Sequence, residues 1–161
     1  MKNVRLNQCA VGNQKGELTL ALQEYPPQTS IIYYPLGHHA LRRDLKTIPI
    51  FVCTVDEYCV SNNISNIDLM KIDVEGAELL VLKGASNAIT TFRPELIIEL
   101  HERHSQPFGY LVQDTLNYLH MLGYELFDVI FGITKPHLTA FSYDVNPHQS
   151  RHIVIARPLR R

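Results

Sequence analysis

The second half of this 161-residue sequence predicts an α/β fold of strand–helix–strand units. Three observations carry that prediction. Apolar runs at Ile67 to Ile72, Glu95 to His101 and Tyr124 to Ile130 have the length and residue types of buried strands. Segments of helical character lie between them. Glycine or proline punctuates the joins, at Gly84, Arg93-Pro94 and Gly123. Strands alternating with helices in this way imply parallel units with right-handed crossovers.

Each element follows from local chemistry. A helix is expected from about Glu75 to Lys83, with Gly84 as its stop. Ala85 to Phe92 reads as a further helical turn, ended because proline disfavours helix in the residue before it. Val112, Leu116 and Leu119 recur at helical spacing, which makes about Tyr110 to Leu122 an amphipathic helix closed by Gly123. His152 to Ala156 reads as a final strand. In the first half, Val4 to Val11 is a short apolar-rich run closed by Gly12-Asn13. In Glu17 to Leu22 the leucines at 18, 20 and 22 alternate with Thr19 and Ala21, the period of a strand. Tyr25-Pro26-Pro27 breaks that pattern, and residues 29 to 47 read as an ordered surface loop containing His38-His39. Ile48 to Val55 is another β-rich run, followed by a short helix or turn at Asp56 to Val60. No internal repeat, low-complexity segment or interdomain linker interrupts residues 1–161, so one domain is expected.

The composition, 45% hydrophobic and 19% charged, is that of a soluble globule. A net charge of −1 argues against nucleic acid or an anionic membrane as the main partner. Arg157, Arg160 and Arg161 read as a solvated basic chain end. No apolar run reaches the ~18 residues of a membrane span, and Met1-Lys2-Asn3 leads into no secretory signal. Cys9, Cys53 and Cys59 are odd in number and lack paired zinc-site spacing, so reduced, packed thiols in a cytoplasmic protein are expected.

Ligands of open α/β sheets sit at the carboxyl ends of the strands. The candidate site residues therefore lie at Ala10 to Asn13, Asp73 to Glu78, and Glu99 to Glu102. Asp73, Glu75 and Glu78 cluster where a strand feeds a helix, and acids there also favour the positive helix end by ~0.3–1 kcal/mol each. Gly76 at a helix start costs up to ~1 kcal/mol relative to alanine, so its presence suits a close approach of ligand or backbone. Glu99 and His101, two apart on a strand, face the same side. If their strand neighbours Ile67 to Ile72, they converge with Asp73 on one pocket at the sheet edge. A carboxylate and an imidazole there are the groups that take a proton from an attacking hydroxyl. Asp73, Glu99 and His101 also have the atom types of a divalent-ion site. His101-Glu102-Arg103-His104 is not a zinc-protease signature, since its histidines are three apart at a strand exit.

KIDVEGAELLVLKGA (Lys71 to Ala85), with FRPELIIELHE (Phe92 to Glu102) and LHMLGYELFDV (Leu119 to Val129), resembles the FkbM family of methyltransferases. NQCAVGNQKGELTL (Asn7 to Leu20) and VCTVDEY (Val52 to Tyr58) fit the same family in order and spacing. The resemblance implies a Rossmann-like class I methyltransferase sheet, mostly parallel with an antiparallel last strand. It implies O-methylation of a sugar or natural-product hydroxyl, with S-adenosylmethionine as methyl donor and a small-molecule or glycan acceptor. Carried onto this chain, it places Cys9, Ala10 and Val11 beside the adenine, and Asp73, Glu75 and Gly76 near the transferred methyl and the acceptor, with Ala10, Val11, Asp73 and Gly76 as the cofactor contacts. Together with the strand-spacing argument for Glu99 and His101, this leaves Asp73, Glu75, Glu99 and His101 as the catalytic candidates, with no metal assigned.

One part of the family pattern is missing. None of the eight glycines is two residues from another, so the sequence lacks the G-x-G turn that cradles the cofactor. At ~30 residues per unit, roughly sixty residues of an N-terminally truncated domain are expected to be absent. A strand edge left open in this way is a pairing surface. That leaves two other readings: a non-catalytic relative that binds a partner or a second copy through the open edge, and a small metal-dependent enzyme. The loop at residues 24 to 47, with Tyr25, Tyr33, Tyr34, His38 and His39, is a candidate acceptor contact.

Overall fold

Two mixed sheets and five α-helices make up the computed structural model, which describes residues 3–25, 28–32, 46–131, 136–141 and 152–159. The first sheet contains β1 (Ala10–Val11), β2 (Gly16–Tyr25), β3 (Gln28–Ile32) and β4 (Lys46–Cys53) in the order β1-β4-β2-β3. Thr54 follows β4 and caps α1 (Val55–Ser61), its hydroxyl accepting from the Glu57 N–H at 3.1 Å. The second sheet has the order β5-β6-β9-β7-β8, from β5 (Leu69–Ile72), β6 (Glu95–Leu100), β7 (Tyr124–Phe131), β8 (Pro136–Ala140) and β9 (His152–Pro158). Between β5 and β6 lie α2 (Glu78–Gly84) and α3 (Ser86–Phe92). Between β6 and β7 lie α4 (Glu102–Ser105), a 3-10 turn (Gln106–Phe108) and α5 (Val112–Met121). Among the described residues, no helix is long and apolar enough to cross a membrane.

The expected mostly parallel sheet is corrected. Only two ladders among the described residues are parallel, Ala10–Val11 against Val52–Cys53 and Leu69–Ile72 against Glu95–Ile98. The other ladders are antiparallel. The reason lies in the placement of β9. It inserts between β6 and β7 and runs against both, so those two strands share a direction without touching. The last strand is therefore antiparallel to its neighbours, and its insertion converts what would have been one parallel contact into two antiparallel ones. Hairpins β2–β3 and β7–β8 add further antiparallel pairs, and β2 also runs against β4.

Several element limits also move. Of Val4 to Val11, only Ala10–Val11 is strand. Gln28–Ile32 is a strand where the sequence suggests a loop; His38, His39, Tyr33 and Tyr34 lie outside the described residues. The helix expected from Glu75 starts at Glu78, because Glu75 and Gly76 have φ of 52° and 108°, which a right-handed helix excludes. Arg157 is not part of a free tail. It lies in β9, where its Nε donates to Glu95 at 3.0 Å and its guanidinium sits over the Phe127 ring.

Ile72, Leu82, Ile98, Leu116 and Val154, each 2% exposed or less, anchor the core between the second sheet and its helices. Burying such a side chain is worth ~1.5–3 kcal/mol. Three polar contacts fasten the helices to this layer. Asp56 on α1 accepts from the N–H groups of Asn87 and Ala88 at 3.0 and 2.8 Å, capping α3, which has no side-chain cap of its own. Arg93 donates to the carbonyls of Leu122 and Gly123 at the end of α5 while covering the Tyr124 ring. The buried Tyr124 hydroxyl in turn donates to the Pro94 carbonyl at 2.9 Å.

Gly84 links the two sheets. A Cβ there would lie 1.9 Å from the Gly12 carbonyl oxygen, so α2 meets the turn after β1 backbone to backbone. Gly84→Ala should therefore destabilise the fold by about 1–3 kcal/mol. Chemical denaturation would show this as a lower midpoint, and an unchanged midpoint would mean that Gly12 and Gly84 are not in contact.

Candidate functional site

The parallel pairing of β5 and β6 ends at Ile72 and Ile98, and the chain beyond each strand carries the polar groups. Beyond Ile72 come Asp73, Val74, Glu75 and Gly76; at the end of β6 come Glu99, Leu100 and His101. Two left-handed residues in succession reverse the first segment, which delivers the Glu75 carboxylate toward β6. Gly76 is required there on two counts: its φ of 108°, and a Cβ that would lie 2.1 Å from the His104 carbonyl oxygen. The close approach that the sequence suggests at Gly76 is thus made by backbone.

Three hydrogen bonds hold this turn. The Gly76 N–H donates to Glu78 Oε1 at 2.8 Å, and the Gly76 carbonyl accepts from the Tyr110 hydroxyl. The same hydroxyl oxygen accepts from the Leu79 N–H at 3.3 Å. Glu78 is buried at the head of α2, and desolvation holds its carboxyl above the usual carboxylate range, partly countered by the Gly76 N–H. Burial also pushes the Tyr110 hydroxyl well above its ordinary value, with Glu78 nearby adding to the effect.

Glu75 is the centre of the cluster. Its Oε2 lies 2.8 Å from His104 Nδ1 and 3.9 Å from His101 Nε2. His101 Nε2 lies 3.1 Å from Glu99 Oε1, so Glu99 and His101 share a face as their spacing requires. The two imidazoles stack at 4.6 Å between centroids. Glu99 is buried and His101 nearly so, whereas Glu75 and His104 are half exposed. The site is therefore open on one side and anchored on the other.

The candidates of the sequence divide accordingly. Glu75, Glu99 and His101 are brought together. Asp73 is adjacent but turns to Lys71, whose ammonium it pairs with. Gly76 supports Glu75. Ala10 and Val11 belong to the other sheet, and α2 spans the interval, with its first turn at the cluster and Gly84 against Gly12. Seven helical residues at ~1.5 Å each set that interval at about 10 Å. His104 and Tyr110, which the sequence does not mark as site residues, complete the site together with Glu78. His104 carries a signal in its spacing of three from His101, one turn of helix; Tyr110 arrives from 34 positions beyond Gly76 and carries none.

A family model described as the Methyltransferase FkbM domain matches residues 1–126. That range includes every residue of the cluster. Comparison with curated proteins gives no match, and comparison with solved structures gives none.

The buried Glu78 generates a pH prediction. Because its folded-state pKa is raised, its contribution to stability is fully present below the unfolded carboxyl value of about 4.3 and is lost as pH rises through the folded value. Glu78→Gln keeps an oxygen for the Gly76 N–H but cannot ionise. The stability of this variant relative to wild type should rise with pH from about 4.3 up to the raised value of the folded carboxyl in denaturant titrations. A difference that stays flat across that range would remove Glu78 as an ionising buried group.

Proposed function

Since the chain belongs to the FkbM methyltransferase family, we propose that the Glu75–His101 cluster forms the acceptor side of a methyl-transfer site that uses S-adenosylmethionine. The observation that carries this reading is the convergence of two carboxylates and two imidazoles at the carboxyl ends of adjacent parallel strands. The donor set suits the cofactor's chemistry. S-adenosylmethionine presents a sulfonium and an ammonium, and Asp73 and Glu75 offer partly exposed carboxylates beside the strand end. Ala10 and Val11, about 10 Å away along α2, are the proposed contacts for the far end of such an extended molecule.

When bound, S-adenosylmethionine supplies an electrophilic methyl group and leaves as S-adenosylhomocysteine. What falls to the chain itself is the hydroxyl proton of a sugar or natural-product acceptor. His101 is the proposed acceptor of that proton as the oxygen attacks, at the ring nitrogen that does not face Glu99, with Glu99 holding the Nε2 side from 3.1 Å and stabilising the imidazolium. Glu75 and His104, half exposed, orient the hydroxyl at the mouth of the site. Asp73, paired with Lys71, is a second orienting carboxylate.

A second reading, association through a sheet edge, is favoured by one observation. Leu69 on the edge strand β5 is 53% exposed, an apolar group on a strand that pairs on one side only among the described residues. It predicts self-association with rising concentration in sedimentation and no cofactor binding.

The methyl-transfer reading is tested by titrating the protein with S-adenosylhomocysteine and by turnover with hydroxyl acceptors. Micromolar binding is expected. His101→Gln should lower kcat by ~10²–10⁴-fold while leaving that affinity nearly unchanged. Asp73→Asn should lower turnover less and leave fold stability near wild type. Turnover that survives His101→Gln would remove His101 as the proton acceptor, and absence of cofactor binding would overturn the reading as a whole.

A further inference from the structure

We propose that Glu75, His101 and His104 bind a divalent transition-metal ion. Each residue offers one ligand atom, and these atoms all lie within 4.8 Å of one another. Glu75 Oε2 marks the point of convergence, 2.8 Å from His104 Nδ1 and 3.9 Å from His101 Nε2. Ligand atoms ~2.0–2.2 Å from a common ion lie ~3–4 Å apart, so small side-chain rotations bring this set to coordination distance.

The chemistry of the donors selects the ion. Two imidazoles and one carboxylate suit zinc, iron, cobalt or nickel better than magnesium or calcium, which take mainly oxygen. Three protein ligands leave further positions open, the arrangement of reactive rather than structural metal sites. The charge also fits a dication. Glu75 and Glu99 flank the Nε2 edge of His101, at 3.9 and 3.1 Å. An ion at that edge would replace a proton now shared with Glu99 and place the Glu99 oxygen beside it as a fourth donor.

The backbone supports the placement. Glu75 adopts a left-handed conformation, with φ of 52°, that non-glycine residues rarely enter. Gly76 packs against the carbonyl of His104 itself, so the segments that carry two of the ligands are locked together. His101 is nearly buried while Glu75 and His104 reach solvent, which gives the ion a rigid floor and an entry path.

The inference draws on residues of the proposed acceptor site, but its test is separate, because metal binding is measured without cofactor or acceptor. Tag-free protein is titrated with cobalt(II), followed by visible absorption and by calorimetry. One equivalent with ligand-field bands of low coordination number is expected. Glu75→Gln and His104→Gln, both at half-exposed positions, should each weaken binding by ~10–100-fold or more with circular dichroism unchanged. Binding of wild type no tighter than that of either variant would overturn the proposal, as would a spectrum that remains that of the hydrated ion. Loss of S-adenosylhomocysteine binding alone would count only against the methyl-transfer reading.

Discussion

The left-handed turn at Glu75–Gly76 is the constraint from which the local architecture follows. A chain leaving a buried strand would ordinarily continue into a helix as soon as hydrogen bonding allowed. Here two residues with positive φ delay the helix until Glu78 and swing a carboxylate across to the neighbouring strand. The cost of that conformation is offset by groups that otherwise lack partners at a helix start. The Gly76 N–H finds Glu78, and the Leu79 N–H finds Tyr110. Remove the turn, and His101 and His104 lose the group on which they converge.

Burial divides the acidic residues of this region into different roles. Glu78 is enclosed and satisfied by backbone, so its raised pKa reflects a structural role, in which it closes the first turn of α2 from within. Glu99 is enclosed but faces an imidazole, and so sets the orientation of His101. Glu75 and Asp73 reach solvent and are available to a ligand. Four carboxylates gathered at the ends of two strands are thus not equivalent.

The motif from Lys71 to Ala85 is legible in the sequence because its determinants are local. An apolar run makes the strand, Gly84 ends the helix, and glycine at 76 signals a crowded backbone. The side shared by Glu99 and His101 is legible for the same reason, since alternation along a strand is fixed by geometry. Strand direction is not legible from the residues themselves, and the antiparallel last strand is expected only through the family resemblance. Whether β9 enters between β6 and β7 depends on where a returning chain finds open hydrogen-bonding groups, and no residue of His152–Pro158 encodes its neighbours. Strand β8 escapes a sequence reading because Pro136 and His137 open it, residues that suggest a turn. Arg157 reads as a free end because its partners, Glu95 and Phe127, are distant in sequence.

The capping of α3 by Asp56 has a consequence for how the chain assembles. A helix of seven residues is far below the length at which a peptide helix persists in water. It carries no cap of its own, and the carboxylate that closes it belongs to α1, 31 positions earlier. Residues 86–92 therefore gain helical stability only in the presence of a docked α1, and the two segments order as one cooperative unit. A sequence change at position 56 would be felt first as fraying some thirty residues downstream, in the segment that leads into the strand carrying Glu99.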